Sequence, residues 1–430
     1  MKRIWFSLVV LSLMCPVFAH DMIPGTPQDH PILLRGGNVY PVSGPMMSGG
    51  DVLFDEGKIV AVGRNLNTPP NTEVIDVSGK NVYPGLIAAR TILGLTEIGA
   101  VRATDDDNEV GDLNPEILAS SAFNPDSELI PTVRANGITT AQVTPIGNLV
   151  RGRSFIVQLD GWTREDSTVL PVDALHISWP SVAISRAWWV RASEEEQRER
   201  MKKNRDLLHD LFADAKAAKK AGGAYDSNDL LLEALGPVLD GELPVFVEAD
   251  DYRQIVEAVR FAREYGLSLV ITGAREADRA AELLKRWNVP VILDATQSLP
   301  YRSDDAYDQA YALPAKLHQA GVKFAIADPG SWNSRDLPLQ AAHAVGFGLP
   351  KDVALRSITL SVAEILGIDG RQGSLEAGKD ATLIVSERDI LDTLGGGVSH
   401  MWIEGRAVDL DNRHKQLERK YGEKIRRSAE

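Results

Sequence analysis

Tyr83-Pro84-Gly85-Leu86-Ile87-Ala88-Ala89-Arg90-Thr91-Ile92-Leu93-Gly94 is the stretch at which the grammar of this chain changes. Before it, over residues 32–84, short apolar runs alternate with turns. Asp51-Val52-Leu53-Phe54 meets Asp55-Glu56-Gly57-Lys58, and Ile59-Val60-Ala61-Val62-Gly63 follows. Runs of that length with Gly and Asp between them read as hairpins. After it, short apolar strands at 138–143, 244–247, 267–271, 289–293 and 322–326 alternate with amphipathic helices. The helix expected over 251–265 sets Ile255, Val259 and Ala262 on one face. The longest helix is expected over 193–222, with Ser193 and Glu196 as a capping box and Lys219-Lys220 near its far end. Strand–helix alternation of this kind builds a parallel sheet.

The opening stretch resembles the Pro-Gly-Leu-Ile-Asp-Ala-His-Thr-His signature that begins the barrel of the amidohydrolase superfamily. The segment Gly373-Ser374-Leu375-Glu376-Ala377-Gly378-Lys379-Asp380-Ala381-Thr382-Leu383-Ile384-Val385 resembles the family's ending, where the chain leaves the barrel and rejoins the N-terminal strands. Residues 398–408 look like the last hairpin, so the resemblance covers about 32–408. It implies a (β/α)8 TIM-type barrel over 84–374 and a small composite β-sandwich built from 20–83 and 375–410. A charged tail, 411–430, follows.

In the family, two histidines one residue apart at the end of the first barrel strand hold a divalent metal. Arg90 and Ile92 stand at those positions. Arginine stays protonated in proteins and cannot ligate a metal, and isoleucine has no donor atom. The resemblance places the proton-shuttling aspartate of strand eight at Asp328. It places the strand-five histidine at Glu248, with Asp250 where a second often follows, the strand-six ligand at Gly273, and a bridging lysine of some relatives at Gln158. All the family's histidines are therefore absent. Strands one and eight are neighbours in a closed barrel, so Arg90 is expected to neutralise Asp328, with Glu248 and Asp250 in the same cleft. The plainer reading has Arg90 in solvent and Asp328 as a turn residue before Pro329.

On this pattern the chain is expected to lack the usual metal-dependent activity, to need no cofactor, and to act as a pseudo-hydrolase that binds a small molecule or pairs with an active homologue. The alternative is an active enzyme whose divalent metal sits among Asp328, Glu248 and Asp250, a donor set suited to hard cations. The remaining histidines, His176, His209, His318, His343, His400 and His414, show no pair at metal-ligand spacing. The acidic run Asp105-Asp106-Asp107-Asn108-Glu109 fails as a calcium loop because Val110 holds the glycine position. Trp188-Trp189 reads as core or lid packing rather than a ligand platform.

With 430 residues, 44% hydrophobic and 25% charged, the chain can bury a large core. Lys2 and Arg3 precede an apolar run over 4–17, and Val17-Phe18-Ala19 looks like a small-residue cleavage site. Residues 1–19 are thus expected to be a secretory signal, making the protein secreted or periplasmic. The run is short for a membrane span, which points to a soluble rather than membrane-spanning protein. The single cysteine, Cys15, lies inside that signal, so the mature chain would carry no disulfide. A formal net charge of −14 argues against nucleic acid and anionic membrane surfaces as partners and leaves a homo-oligomer open.

Overall fold

The structure, a computed structural model, describes residues 23–221 and 230–429. The expected signal over 1–19 lies outside the described residues. Among the described residues sixteen strands run in chain order: β1 (Ile32–Val39), β2 (Met47–Asp55), β3 (Lys58–Gly63), β4 (Glu73–Asp76), β5 (Asn81–Pro84), β6 (Leu86–Thr91), β7 (Ile138–Val143), β8 (Val150–Gln158), β9 (Thr168–Ser178), β10 (Val245–Ala249), β11 (Leu269–Gly273), β12 (Val291–Leu293), β13 (Phe324–Ile326), β14 (Leu383–Ser386), β15 (Val398–Ile403) and β16 (Arg406–Ala407). They form two eight-stranded sheets.

The first sheet has the order β16-β15-β14-β5-β1-β2-β3, with β4 on β1. Its pivot is β5, which pairs in parallel with β1 and antiparallel with β14, Tyr83 opposite Ile384. The two ends of the chain thereby share one ladder, and neither leaves a bare edge at the junction. Successive side chains alternate faces, as the strand period of two requires. Val82, Leu383, Val385 and Trp402 enter the sheet's own core with Phe54 and Ile59. Tyr83, Ile384, Met401 and Ile403 turn the other way into the core shared with the barrel.

The second sheet, β6 through β13 in chain order, is the barrel. Ile92 N–H donates to Gly330 O at 3.1 Å, which brings the end of β6 against the chain just past β13 and closes the circle. The inner cluster contains Ile87, Ala89, Ile156, Ala174, Phe246, Val270, Ile292 and Ala325. Residues of the helix Leu360–Leu366 join it, and Ile87 N–H bonds Ile358 O at 3.0 Å, so this helix stoppers the end where β6 begins.

One strand departs from an all-parallel barrel. β8 runs antiparallel to both β7 and β9. The reason is the short connection between β7 and β8, residues 144–149. A parallel return needs a crossover of a dozen residues or more, so this link permits only a reversed strand.

The helix Glu194–Lys220 starts at the expected capping box, with Glu196 N–H donating to Ser193 Oγ and Glu196 receiving the Ser193 N–H. The expectation that Trp188 and Trp189 pack in a core or under a lid is corrected: they are 91% and 67% exposed. The loop that carries them is anchored instead by hydrogen bonds from Gln197, whose amide group bonds Ser185 on both its N–H and its carbonyl.

Candidate functional site

The strand ends opposite the stoppered end converge on a group of charged side chains. β6 contributes Arg90, which is 8% exposed. Between Ala88 and Thr91 the register of β6 against β7 slips by one residue, and Arg90 takes up the slip with φ +56°. That is a β-bulge whose extra residue has the left-handed conformation, where an L side chain is uncommon. Its N–H donates to Gln142 Oε1 at 3.2 Å. Gln142 in turn donates to buried Asp173 at 2.5 Å, and Ser154 Oγ donates to the other Asp173 oxygen at 2.6 Å. A buried polar chain thus holds the bulge from below.

The Arg90 guanidinium is hydrogen-bonded to Asp294, one residue past β12, and lies 3.5 Å from Glu248 of β10. A second guanidinium, Arg151, bonds the same Glu248 oxygen and donates through Nε to Ser178 Oγ at 2.8 Å. Burial alone would raise the Glu248 pKa, but Arg90 and Arg151 outweigh it and hold the carboxyl below its usual value. Burial lowers Arg151, against the pull of Glu248. His176, on β9 beside this group and bonded to Ser154 Oγ at 2.7 Å, is pushed well below its usual value by burial and by the two arginines. It is a neutral core histidine.

Two further carboxylates face the cleft with too little compensation to offset their burial. Asp250, one residue past β10, is pushed up to about 6, first by burial and then by Asp294 and Glu248, with Arg275 opposing. Arg275 Nε stands 3.5 Å from Asp250 Oδ2, while Oδ1 is buried with no hydrogen-bond partner. Asp328 is also raised to about 6, by burial first and then by Asp336 and Asp294, although Gln340 Nε2 donates to it at 2.8 Å. Asp250, Gly273, Arg275, Asp294, Tyr301 and Asp328 help to line an open cleft of about 900 Å³.

The expected positions fall out as follows. Arg90, Glu248, Asp250 and Asp328 all reach the same mouth, but the pairing differs. Arg90 takes Asp294, not Asp328, because the Asp328 carboxylate is bound by Gln340 from the helix Leu337–Gly346. Asp250 pairs with Arg275 and not with Arg90. Gln158 is at the wrong end: it closes β8 opposite Thr140, near the start of β7, because β8 is reversed. The same reversal brings Arg151, near the start of β8, to the mouth. Sequence reasoning missed Arg151 and Asp294. The only available signal for Arg151 was the short 144–149 link, and for Asp294 its place directly after an apolar run. The acidic run after Asp105 bonds within its own loop, Thr96 Oγ1 donating to Asp105 at 3.0 Å and to Asp107 at 3.2 Å. Among the described residues no group of three or more His, Cys, Asp or Glu side chains has the arrangement of a metal shell.

Comparison with known proteins gives a consistent set. A model of the Amidohydrolase family matches residues 175–408. The amidohydrolase tasK of Hapsidospora irregularis is 22% identical over 413 residues, covering 86% of this chain and 41% of that protein, so the chain spans about two-fifths of that relative. The imidazolonepropionase of Symbiobacterium thermophilum is 24% identical over 377 residues, 79% of this chain and 84% of that one. The crystal structure of an amidohydrolase from Thermotoga maritima superposes with a TM-score of 0.76 at 26% identity, covering 88% of this chain and 99% of that chain.

Proposed function

Because the chain belongs to the amidohydrolase family, we propose that its barrel mouth binds a small molecule without the metal-activated water that the family's signature implies for hydrolysis of carbon–nitrogen bonds. The observation that carries this reading is the Arg90 guanidinium held by Asp294 and Glu248, with Arg151 on the same Glu248. A divalent ion acidifies water only when several uncommitted donors hold it. Arg90, Ile92 and Gly273 offer none, and Glu248 is engaged by two fixed cations. The side chains at the mouth do not fit the family's metal. Fixed charges of both signs around an open cleft of about 900 Å³ suit a small polar ligand.

The second reading, an active site built on carboxylates, is favoured by one observation: Asp250 Oδ1 is buried and has no hydrogen-bond partner. Metal analysis of the purified mature protein after growth in zinc and manganese separates the two. The ligand-binding reading expects less than stoichiometric metal. One equivalent held in the cleft, with turnover abolished by Asp328→Asn, would replace it with the second reading.

The proposal includes export, supported by Lys2, Arg3 and the apolar run ahead of Val17-Phe18-Ala19. Mass spectrometry of the natively expressed protein is expected to find a chain beginning near His20. A chain that retains Met1 or Lys2 would remove this part of the proposal.

A further inference from the structure

The charge of this chain is unevenly distributed. The helix Arg413–Ala429 holds seven lysines and arginines against two glutamates, a net +5, in a chain of −14. The rest of the chain therefore carries −19. At 100° per residue, Leu417, Tyr421 and Ile425 fall in an arc of about 80° along the helix. Leu417 is half-buried, but Tyr421 is 51% and Ile425 70% exposed, so the outer part of this stripe is not spent on the protein's core. Arg413, Lys420, Lys424 and Arg427 border the stripe on one side; beyond Glu418 and Gly422 on the other side, Lys415, Arg419 and Arg426 lie on the far face of the helix. His414, Glu418 and Ser428 are the polar residues that fall within or beside it, and Glu423 lies on the opposite face. The ion pairs of Arg419 with Asp411 and of Arg426 and Arg427 with Glu423 are exposed, and such pairs are weak and readily exchanged.

We propose that the helix Arg413–Ala429 docks this protein on an anionic lipid surface. An exposed apolar stripe bordered along one edge by four long cationic side chains, on a helix of net +5, fits the boundary of a bilayer. The stripe enters the acyl edge while the flanking lysines and arginines reach outward to the headgroups. No described helix is long and apolar enough to cross a membrane, so this helix would lie on the surface. The acidic remainder is repelled by the same lipids, and that orients the molecule with the helix inward and the body away. Net charge alone conceals this, because attraction near a surface is set by the charges within about a Debye length, ~8 Å at physiological salt. The stripe argues for lipid over nucleic acid, whose backbone offers nothing to Tyr421 and Ile425. The alternative of an acidic face on a second copy is an outcome of the test.

The test is flotation of the full mature chain with vesicles of phosphatidylcholine alone or mixed with phosphatidylglycerol. Flotation is expected only with the anionic vesicles and is expected to disappear at ~0.5 M salt, where screening shortens to a few Å. Lys420→Glu/Lys424→Glu and Tyr421→Ser/Ile425→Ser should each reduce it about tenfold or more, with an unchanged far-UV circular dichroism spectrum because all four residues are on the surface. Absence of flotation with anionic vesicles would overturn the proposal, as would flotation of either variant undiminished from that of the unsubstituted chain. Salt-sensitive dimerisation without lipid, abolished by the same variants, would overturn it in favour of docking on a second copy.

Discussion

Arg90 bears a conformational load and an electrostatic one at the same position. Its φ of +56° costs about 1–3 kcal/mol for a residue with a Cβ. That cost is borne because the bulge aims the guanidinium at Asp294 and Glu248. Arg90→Ala keeps the strain and strands Asp294, so a loss near the low end of ~3–5 kcal/mol is expected in urea denaturation, since Glu248 retains Arg151 and both carboxylates keep some access to water. Arg90→Gly removes the same charge but relieves the backbone, and should be more stable than Arg90→Ala by about 1 kcal/mol. Equal stabilities would mean that the bulge is not strained. Asp250 makes a complementary case through pH. Its carboxyl, raised to about 6 when folded from 3.8, keeps its proton in the folded state while the unfolded chain loses its own. Stability from this group is therefore full below about pH 4, falls as pH rises towards 6, and stays low above it. Asp250→Asn should gain on the order of 1–2 kcal/mol at pH 8 and nothing at pH 4. A gain of equal size at both pH values would show that the carboxylate's charge is not the cause.

At the scale of elements, the site depends on where a strand stops and which way it runs. Gly273 ends β11 at φ +77°, and a Cβ there would stand 2.7 Å from Asp250 Oδ1. Gly273→Ala is therefore expected to lower stability by about 1–3 kcal/mol through backbone strain and the clash, read as a fall in the urea midpoint. An unchanged midpoint would mean that the mouth relaxes freely around Asp250. The strands themselves were legible because their apolar runs and turn residues are local signals: β7, β10, β11, β12 and β13 fall where the pattern puts them. The joining of β5 to β14 was legible only through the resemblance of 373–385 to a known ending. The direction of β8 was not read, because Phe155-Ile156-Val157 is equally apolar in either direction. That one reversal exchanges Gln158 for Arg151 at the mouth. The pairing of Arg90 with Asp294 was hidden for a different reason. It depends on a one-residue bulge with a left-handed arginine, which no glycine announces.

Across the whole molecule, a metal site of the family's kind draws on the ends of several strands, so it is lost and regained as a set. Arg90→His/Ile92→His restores the two positions of the opening signature and leaves the rest of the mouth as it is. Arg151 still bonds Glu248, Gly273 still has no donor, and Asp328 is still bound by Gln340. Removing Arg90 also removes one of the cations that lower the Glu248 pKa, leaving Arg151 hydrogen-bonded to that carboxylate and Arg275 acting on it through its charge. Ligands act only when their supporting contacts orient them, and the contacts here orient a guanidinium. The double variant is therefore expected to bind zinc at less than one equivalent in equilibrium dialysis and to show no turnover of carbon–nitrogen substrates. Adding Arg151→Lys should not help, because a cation remains against Glu248. Tight binding of one zinc by the double variant, with Asp328-dependent turnover, would mean that Glu248 and Asp294 are freed as soon as Arg90 leaves. The two arginines would then be replacements for the metal and not barriers to it.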